Sequence, residues 1–186
     1  MLSKISHTLH RFANGWLVAL FFLLDAVFMF FIMPMGQALM KGGSGGPGPI
    51  DLLFFYTPAK AYEMVAAYGD AGRSFYRNIE LTADLIYPVV YTIFFGLLIS
   101  WLFQRGFAPG SRMQKWNALP VGGWFFDLLE NLGIVGMLSV YPSTPALLGW
   151  LTAGATVLKW LLAAGSFVLL LVGLVMAARN RFRKQS

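Results

Sequence analysis

The chain contains no cysteine. That absence excludes disulfides, thiolate chemistry, iron–sulfur clusters and cysteine-type zinc sites, and it leaves the redox compartment undecided. Histidine is almost as scarce. His7 and His10 are the only two, both near the N-terminus, so a haem or a histidine-rich metal site deep in the fold is not expected. No cofactor and no metal are therefore anticipated. Charge is the third scarcity: Asp, Glu, Lys and Arg make up 12% of the 186 residues, against roughly 25% in soluble domains. With 58% hydrophobic residues, this composition points to lipid as the solvent.

What is abundant is long apolar sequence. Four runs stand out, near 15–35, 79–103, 118–141 and 148–178. Each reaches the ~20 residues that an α-helix needs to cross a hydrocarbon core of about 30 Å. The reading is an all-α, polytopic membrane protein: one membrane domain, a four-transmembrane-helix bundle with a short extracytoplasmic interfacial helix. The predicted spans are 15–35, 71–104, 118–141 and 146–178. An N-terminal interfacial helix over 2–12 is read from Leu2, Ile5, Leu9 and Phe12 at helical spacing.

A net charge of +6 raises nucleic acid as a partner, but its distribution argues against that. Lys4 and Arg11 precede the first span, Arg105, Arg112 and Lys115 lie in the 105–116 loop, and Arg179, Arg181, Arg183 and Lys184 lie in the 179–186 tail. None of these segments carries an acid. The 36–78 stretch balances Lys41, Lys60, Arg73 and Arg77 against Asp51, Glu63 and Asp70. Under the positive-inside rule both termini and the 105–116 loop are cytoplasmic and the first loop faces out. The expected location is the cell (inner or plasma) membrane. A cleaved signal peptide ending near "MGQA" is disfavoured, because the apolar run is too long for one and contains Asp25.

Within the outer segment 36–70, "KGGSGGPGP" lacks the ending of a phosphate-binding loop and reads as a flexible linker. "YTPAKAYEMVAAYG" reads as a short helix, with Thr57 as N-cap, Pro58 in the first turn and Gly69 as its stop. Tyr62, Val65 and Tyr68 would place it in the outer headgroup region. Asp70 would then cap a helix continuing into the second span.

The candidate site comes from polar residues inside the spans. At about 100° per residue, Arg73, Arg77, Glu80, Asp84, Tyr87 and Tyr91 fall within about 40° of one line on the second span. Pro88 beside them frees a backbone carbonyl and predicts a kink. Arg77 and Glu80, nearer water, suit an ordinary i,i+3 ion pair. On the third span Asp127, Glu130 and Asn131 share one helical face, which should turn away from lipid. The fourth span carries Thr152, Thr156, Lys159, Ala163, Ser166 and Gly173 along one side, and the first contributes Asp25.

Depth measured from the inner ends predicts two layers. Asp84, Lys159 and Tyr87 form an outer one, and Asp25, Asp127, Glu130, Asn131 and Tyr91 a central one. Asp25, Asp84, Tyr87, Tyr91, Asp127, Glu130, Asn131 and Lys159 are together the predicted ligand-binding residues. Four carboxylates against one lysine cannot all ionise cheaply in a medium of low dielectric. At least one of Asp25, Asp127 and Glu130 is thus expected to carry a proton at neutral pH, unless a cationic ligand restores the balance.

Interhelical hydrogen-bond glue is the plainer account, but such bonds average under about 1 kcal/mol. Intramembrane ionisable groups default to function. The leading expectation is a polar, acidic pocket that binds a small amphipathic ligand, cationic or lipid. A second is an intramembrane isomerase or hydrolase with Asp127 and Glu130 as the carboxylate acid/base pair. A third is a structural or accessory subunit. Acids facing lipid in a monomer would call for a second copy or a membrane partner. Membrane lipid is a partner in all three, and nucleic acid in none.

Overall fold

The computed structural model describes residues 2–41 and 47–183. The core of the glycine-rich linker (42–46) and the last three residues of the basic tail lie outside them. Every regular element is helical, and no strand occurs among the described residues.

Helix α1 (Leu2–Phe12) is followed by α2 (Gly15–Val27), which widens into a π-turn over Phe28–Ile32 and re-forms as α3 (Met33–Lys41). The wide turn has a local cause. Pro34 has no N–H and its ring would strike the carbonyl of Phe30, and a π-turn opens the spiral there. A 3-10 turn (Ile50–Leu52) leads to α4 (Pro58–Ala67). Its start is the one expected: the Thr57 hydroxyl accepts from the Lys60 amide and Pro58 occupies the first turn. Gly69, at φ +63°, breaks the chain direction before α5 (Gly69–Glu80). Helix α6 (Ala83–Gly106), a 3-10 turn (Arg112–Ala118), α7 (Leu119–Val140) and α8 (Ala146–Arg183) complete the order.

Four stretches are long and apolar enough to cross a bilayer: Gly15–Leu39, Gly69–Gly106, Arg112–Val140 and Ala146–Arg183. They overlap the predicted spans, but the third begins at Arg112, inside the segment read as a loop, and α8 runs on through the segment read as a tail.

The second stretch differs from expectation in shape. α5 and α6 are separated at Leu81–Thr82, where Thr82 Oγ1 donates to the Asn78 carbonyl at 2.6 Å and the Thr82 amide bonds Ile79 O. A threonine hydroxyl that bonds back to the preceding turn competes with the helical ladder. Helix α6 continues through Pro88, so the interruption falls at Thr82 and not at the proline.

The chain groups into two compact units. The first comprises Met1–Asp25, Val89–Trp124 and Leu161–Ser186. Here α1 lies on the 3-10 turn: Asn117 Nδ2 donates to Ser6 O at 3.0 Å and to Ser100 Oγ at 2.7 Å, and His10 Nε2 lies 2.9 Å from Gln114 O. Asn180 Nδ2 covers the last carbonyls of α6, at Arg105 and Gly106.

The second unit comprises Ala26–Pro88 and Phe125–Trp160. Its core gathers Ile50, Tyr56, Val65, Tyr76, Ile134 and Met137 with their neighbours. Close helix approach is made possible by missing side chains. A Cβ on Gly133 would collide with the Thr152 side chain, and one on Gly149 with Pro58.

A packing test follows from Gly133. Gly133→Ala should destabilise the protein by about 1–3 kcal/mol through overpacking, read as a lower thermal midpoint in detergent. Gly154→Ala is the control. A methyl there meets open space and should leave the midpoint unchanged or slightly raised.

Candidate functional site

Helices α7 and α8 are consecutive, and only residues 141–145 separate them. A connection this short makes them antiparallel neighbours and ties their registers together. Counting away from it, Glu130 stands ten residues before Val140 and Thr156 ten after Ala146; Asp127 and Lys159 stand thirteen before and thirteen after. The side chains meet accordingly. Thr156 Oγ1 lies 2.6 Å from Glu130 Oε1. Lys159 Nζ forms an ion pair with Glu130 Oε2 and lies 3.7 Å from Asp127 Oδ1.

The cluster is buried. Glu130 and Thr156 are fully enclosed, Asn131 is 3% exposed and Asp127 is 7% exposed. Two residues from the segment before α4 complete it. Lys159 Nζ donates to the Asp51 carbonyl at 3.4 Å, and the Tyr56 hydroxyl sits 3.1 Å from Thr156 Oγ1. Thr156 Oγ1 also lies 3.0 Å from the Thr152 carbonyl; with its one proton given to either acceptor, Tyr56 is the donor to Thr156. Burial raises the Tyr56 phenol above its ordinary range, so it stays protonated and keeps that role.

Beside this hub runs a second set of contacts. Asn131 Nδ2 donates to the backbone carbonyl of Asp84 at 2.7 Å. That carbonyl is the one freed by Pro88, whose missing N–H would otherwise have bonded it. Tyr76, fully buried, donates to Asp51 Oδ1 at 2.6 Å and accepts from the Ile50 amide at 3.0 Å. Glu80 is also fully enclosed, and neither carboxylate oxygen makes a hydrogen bond of ordinary geometry among the described residues.

Of the residues predicted from sequence, Asp84, Tyr87, Asp127, Glu130, Asn131 and Lys159 belong to the second unit. Asp25, buried, and Tyr91 belong to the first. Tyr87 stacks on Phe28 with ring centroids 5.3 Å apart. The expected outer layer is not what forms at Lys159. Lys159 was expected beside Asp84, but its ion pairs are with Glu130 and Asp127. Depth had been counted from the inner ends of unequal helices, whereas the hairpin at 141–145 sets the register. The expected Arg77–Glu80 ion pair is not formed either: Glu80 turns into the protein with no bonded cation.

Asp51, Tyr56 and Tyr76 were missed as site residues. Tyr76 had a usable signal, one turn before Glu80; Asp51 and Tyr56 arrive from irregular backbone and had none. Thr156 was visible on the polar side of α8, one turn before Lys159.

No group of three or more His, Asp or Glu placed to hold a metal ion occurs among the described residues. Comparison with protein-family models, curated proteins and solved structures found no match to the chain.

The hub makes a direct prediction. Lys159→Met should strand Glu130 and Asp127 and cost about 3–5 kcal/mol, seen as a large drop in thermal midpoint. Adding Asp127→Asn and Glu130→Gln to that variant should restore most of it. A Lys159→Met protein as stable as wild type would show that the ion pair holds nothing together.

Proposed function

We propose that the chain is a multi-pass integral membrane protein with both termini cytoplasmic, whose acidic interior binds a small amphipathic molecule or membrane lipid. The observation that carries the binding reading is the charge imbalance around Lys159. Glu80, Asp84, Asp127 and Glu130 lie in one unit, and among the described residues the one ammonium in ion-pair contact with any of them, Lys159, is committed to Asp127 and Glu130. Buried charges are ordinarily paired, so the surplus is an argument for a ligand.

The membrane reading rests on surface as well as length. Only 6% of the apolar window in Gly15–Leu39 and 11% of that in Ala146–Arg183 is buried. Leu151, Leu161, Phe167, Leu171 and Val175 on α8 are all exposed. Monomeric soluble proteins rarely expose contiguous apolar patches beyond a few hundred Å². In this setting α1 and α4 are interfacial helices, α4 on the outer side, but Tyr62 and Val65, expected to face headgroups, are buried in the core of the second unit. An amphipathic ligand fits because its polar end would meet the carboxylates and tyrosines while its apolar part shares the lipid phase. Binding is favoured over acid–base chemistry because Glu130 is held by both Lys159 and Thr156, which suits a fixed recognition group better than a proton carrier.

Orientation is directly testable because the chain has no native cysteine. Ser143→Cys should react with a membrane-impermeant maleimide in intact cells. Ala108→Cys should react only after permeabilisation. The reverse pattern would invert the topology.

The ligand is tested by native mass spectrometry on protein gently extracted from its host membrane. Wild type should carry a discrete small-molecule adduct. Asp127→Asn/Glu130→Gln should lose it, and so should the same variant with Lys159→Met added, which removes the stranded cation. An adduct retained in both variants, or seen in no sample, would count against the reading.

A further inference from the structure

Glu80 is the last residue of α5 and has no exposed surface. Its two carboxylate oxygens lack hydrogen-bond partners of ordinary geometry among the described residues. A buried carboxylate left that way costs far more than a satisfied one. The neighbouring donors are already committed. The Tyr76 hydroxyl lies close enough to Glu80 to act as a hydrogen-bond partner, but its one proton is directed to Asp51 Oδ1 at 2.6 Å. The Lys159 ammonium is taken up by Glu130, Asp127 and the Asp51 carbonyl.

The cations of Glu80's own helix do not serve it either. Arg73 pairs with Asp70, donates to Val65 O at 3.2 Å and lies over the Tyr141 ring at 4.3 Å. Arg77, one turn back, makes no ion pair with it. Around Glu80 the electrostatics run the other way: Asp51, Asp84 and Glu130 are all within range of its charge. The place therefore lacks a positive group carrying N–H donors.

We propose, on the ligand-binding reading above, that Glu80 with Asp84 and Asp51 receives the charged end of an amphipathic primary amine. An ammonium supplies up to three N–H donors on a compact charge, enough for both Glu80 oxygens, with Asp84 and Asp51 adding longer-range attraction. A quaternary ammonium carries the charge but no donor and would leave those oxygens unsatisfied. The site thus selects primary over quaternary amines. The amine can belong to a lipid headgroup or to a free long-chain amine, since the chemistry at Glu80 is the same.

The test uses the full chain in neutral maltoside micelles, with binding read by calorimetry and native mass spectrometry. The probes are dodecylamine and phosphatidylethanolamine, set against dodecyltrimethylammonium, dodecanol and phosphatidylglycerol. Wild type should bind at least one primary amine and none of the controls comparably. Which of the two amines binds identifies the source, free or headgroup, and either supports the assignment. Glu80→Gln should weaken amine binding by about tenfold or more, as expected for loss of a charge-assisted bond. It should melt no lower than wild type, because the Tyr76 proton is committed to Asp51 in both proteins. Asp84→Asn should weaken binding in the same direction.

Equal amine affinity in Glu80→Gln and wild type would overturn the proposal, as would equal affinity for the quaternary ammonium. If the native adduct proves neutral or anionic yet still depends on Asp127 and Glu130, the Glu80 assignment falls and the ligand-binding reading stands. If no probe binds and no native adduct exists, both fall.

Discussion

Lys159, its side chain only 12% exposed, can be held inside the protein only because the α7–α8 hairpin delivers two carboxylates to it at matching depth. Taking an ammonium and a carboxylate out of water costs several kcal/mol per ion, and their attraction offsets that only with good geometry and satisfied remaining donors. Here the geometry is set by backbone. The connection at 141–145 fixes the register of two rigid helices, so residues equally far from it meet. Asp51 O, Thr156 and Tyr56 then complete the hydrogen bonding. The segment before α4 is tied to the hub through those same bonds, so its path across the second unit depends on the Lys159 ammonium as well.

Asn131 shows what a purely structural polar contact looks like in this protein. Pro88 leaves the Asp84 carbonyl without its helical partner, and the Asn131 amide takes that place. One neutral side chain repairs one backbone defect, and α6 passes through the proline unbroken. The helix does break one turn and a half earlier, at Leu81–Thr82, where a hydroxyl competes for a carbonyl. That break sets Glu80 and Asp84 on separate helices and leaves Glu80 pointing inward at the end of α5.

The four apolar stretches were legible because run length is a one-dimensional property, and so was the start of α4, whose Thr–Pro cap is local chemistry. The shared face of Asp127, Glu130 and Asn131 followed from helical periodicity alone. The partner of Lys159 was misjudged because depth depends on which end of a helix is anchored. The hairpin connection, five residues long, was the better ruler. The straight polar stripe over Arg73 to Tyr91 failed at Thr82, since periodicity assumes an unbroken helix and a single back-bonding hydroxyl can end one. Asp51 and Tyr56 lie on irregular backbone, where no period links a residue to its neighbours in space. The burial of Glu80 was hidden for a related reason: an Arg three residues before it suggested a solvated pair, and only the tertiary structure turns it inward.

Seven of the eight acids fall within residues 26–88 and 125–160, while the other unit carries Asp25 as its lone acid. The positive-inside rule does not account for this, because it concerns cations in short loops and acids contribute little to it. Glu63 and Asp70 are answered locally by Lys60 and Arg73. Of the remaining five, Asp127 and Glu130 pair with Lys159, the one ammonium in ion-pair contact with any of them among the described residues. If their task were only to hold helices together, apolar side chains of similar shape would do as well or better, and the Asn131 amide shows that a neutral group suffices where a polar one is needed. A surplus of carboxylates adds one capacity that neither an amide nor a leucine has, which is to accept a positive charge from outside the chain.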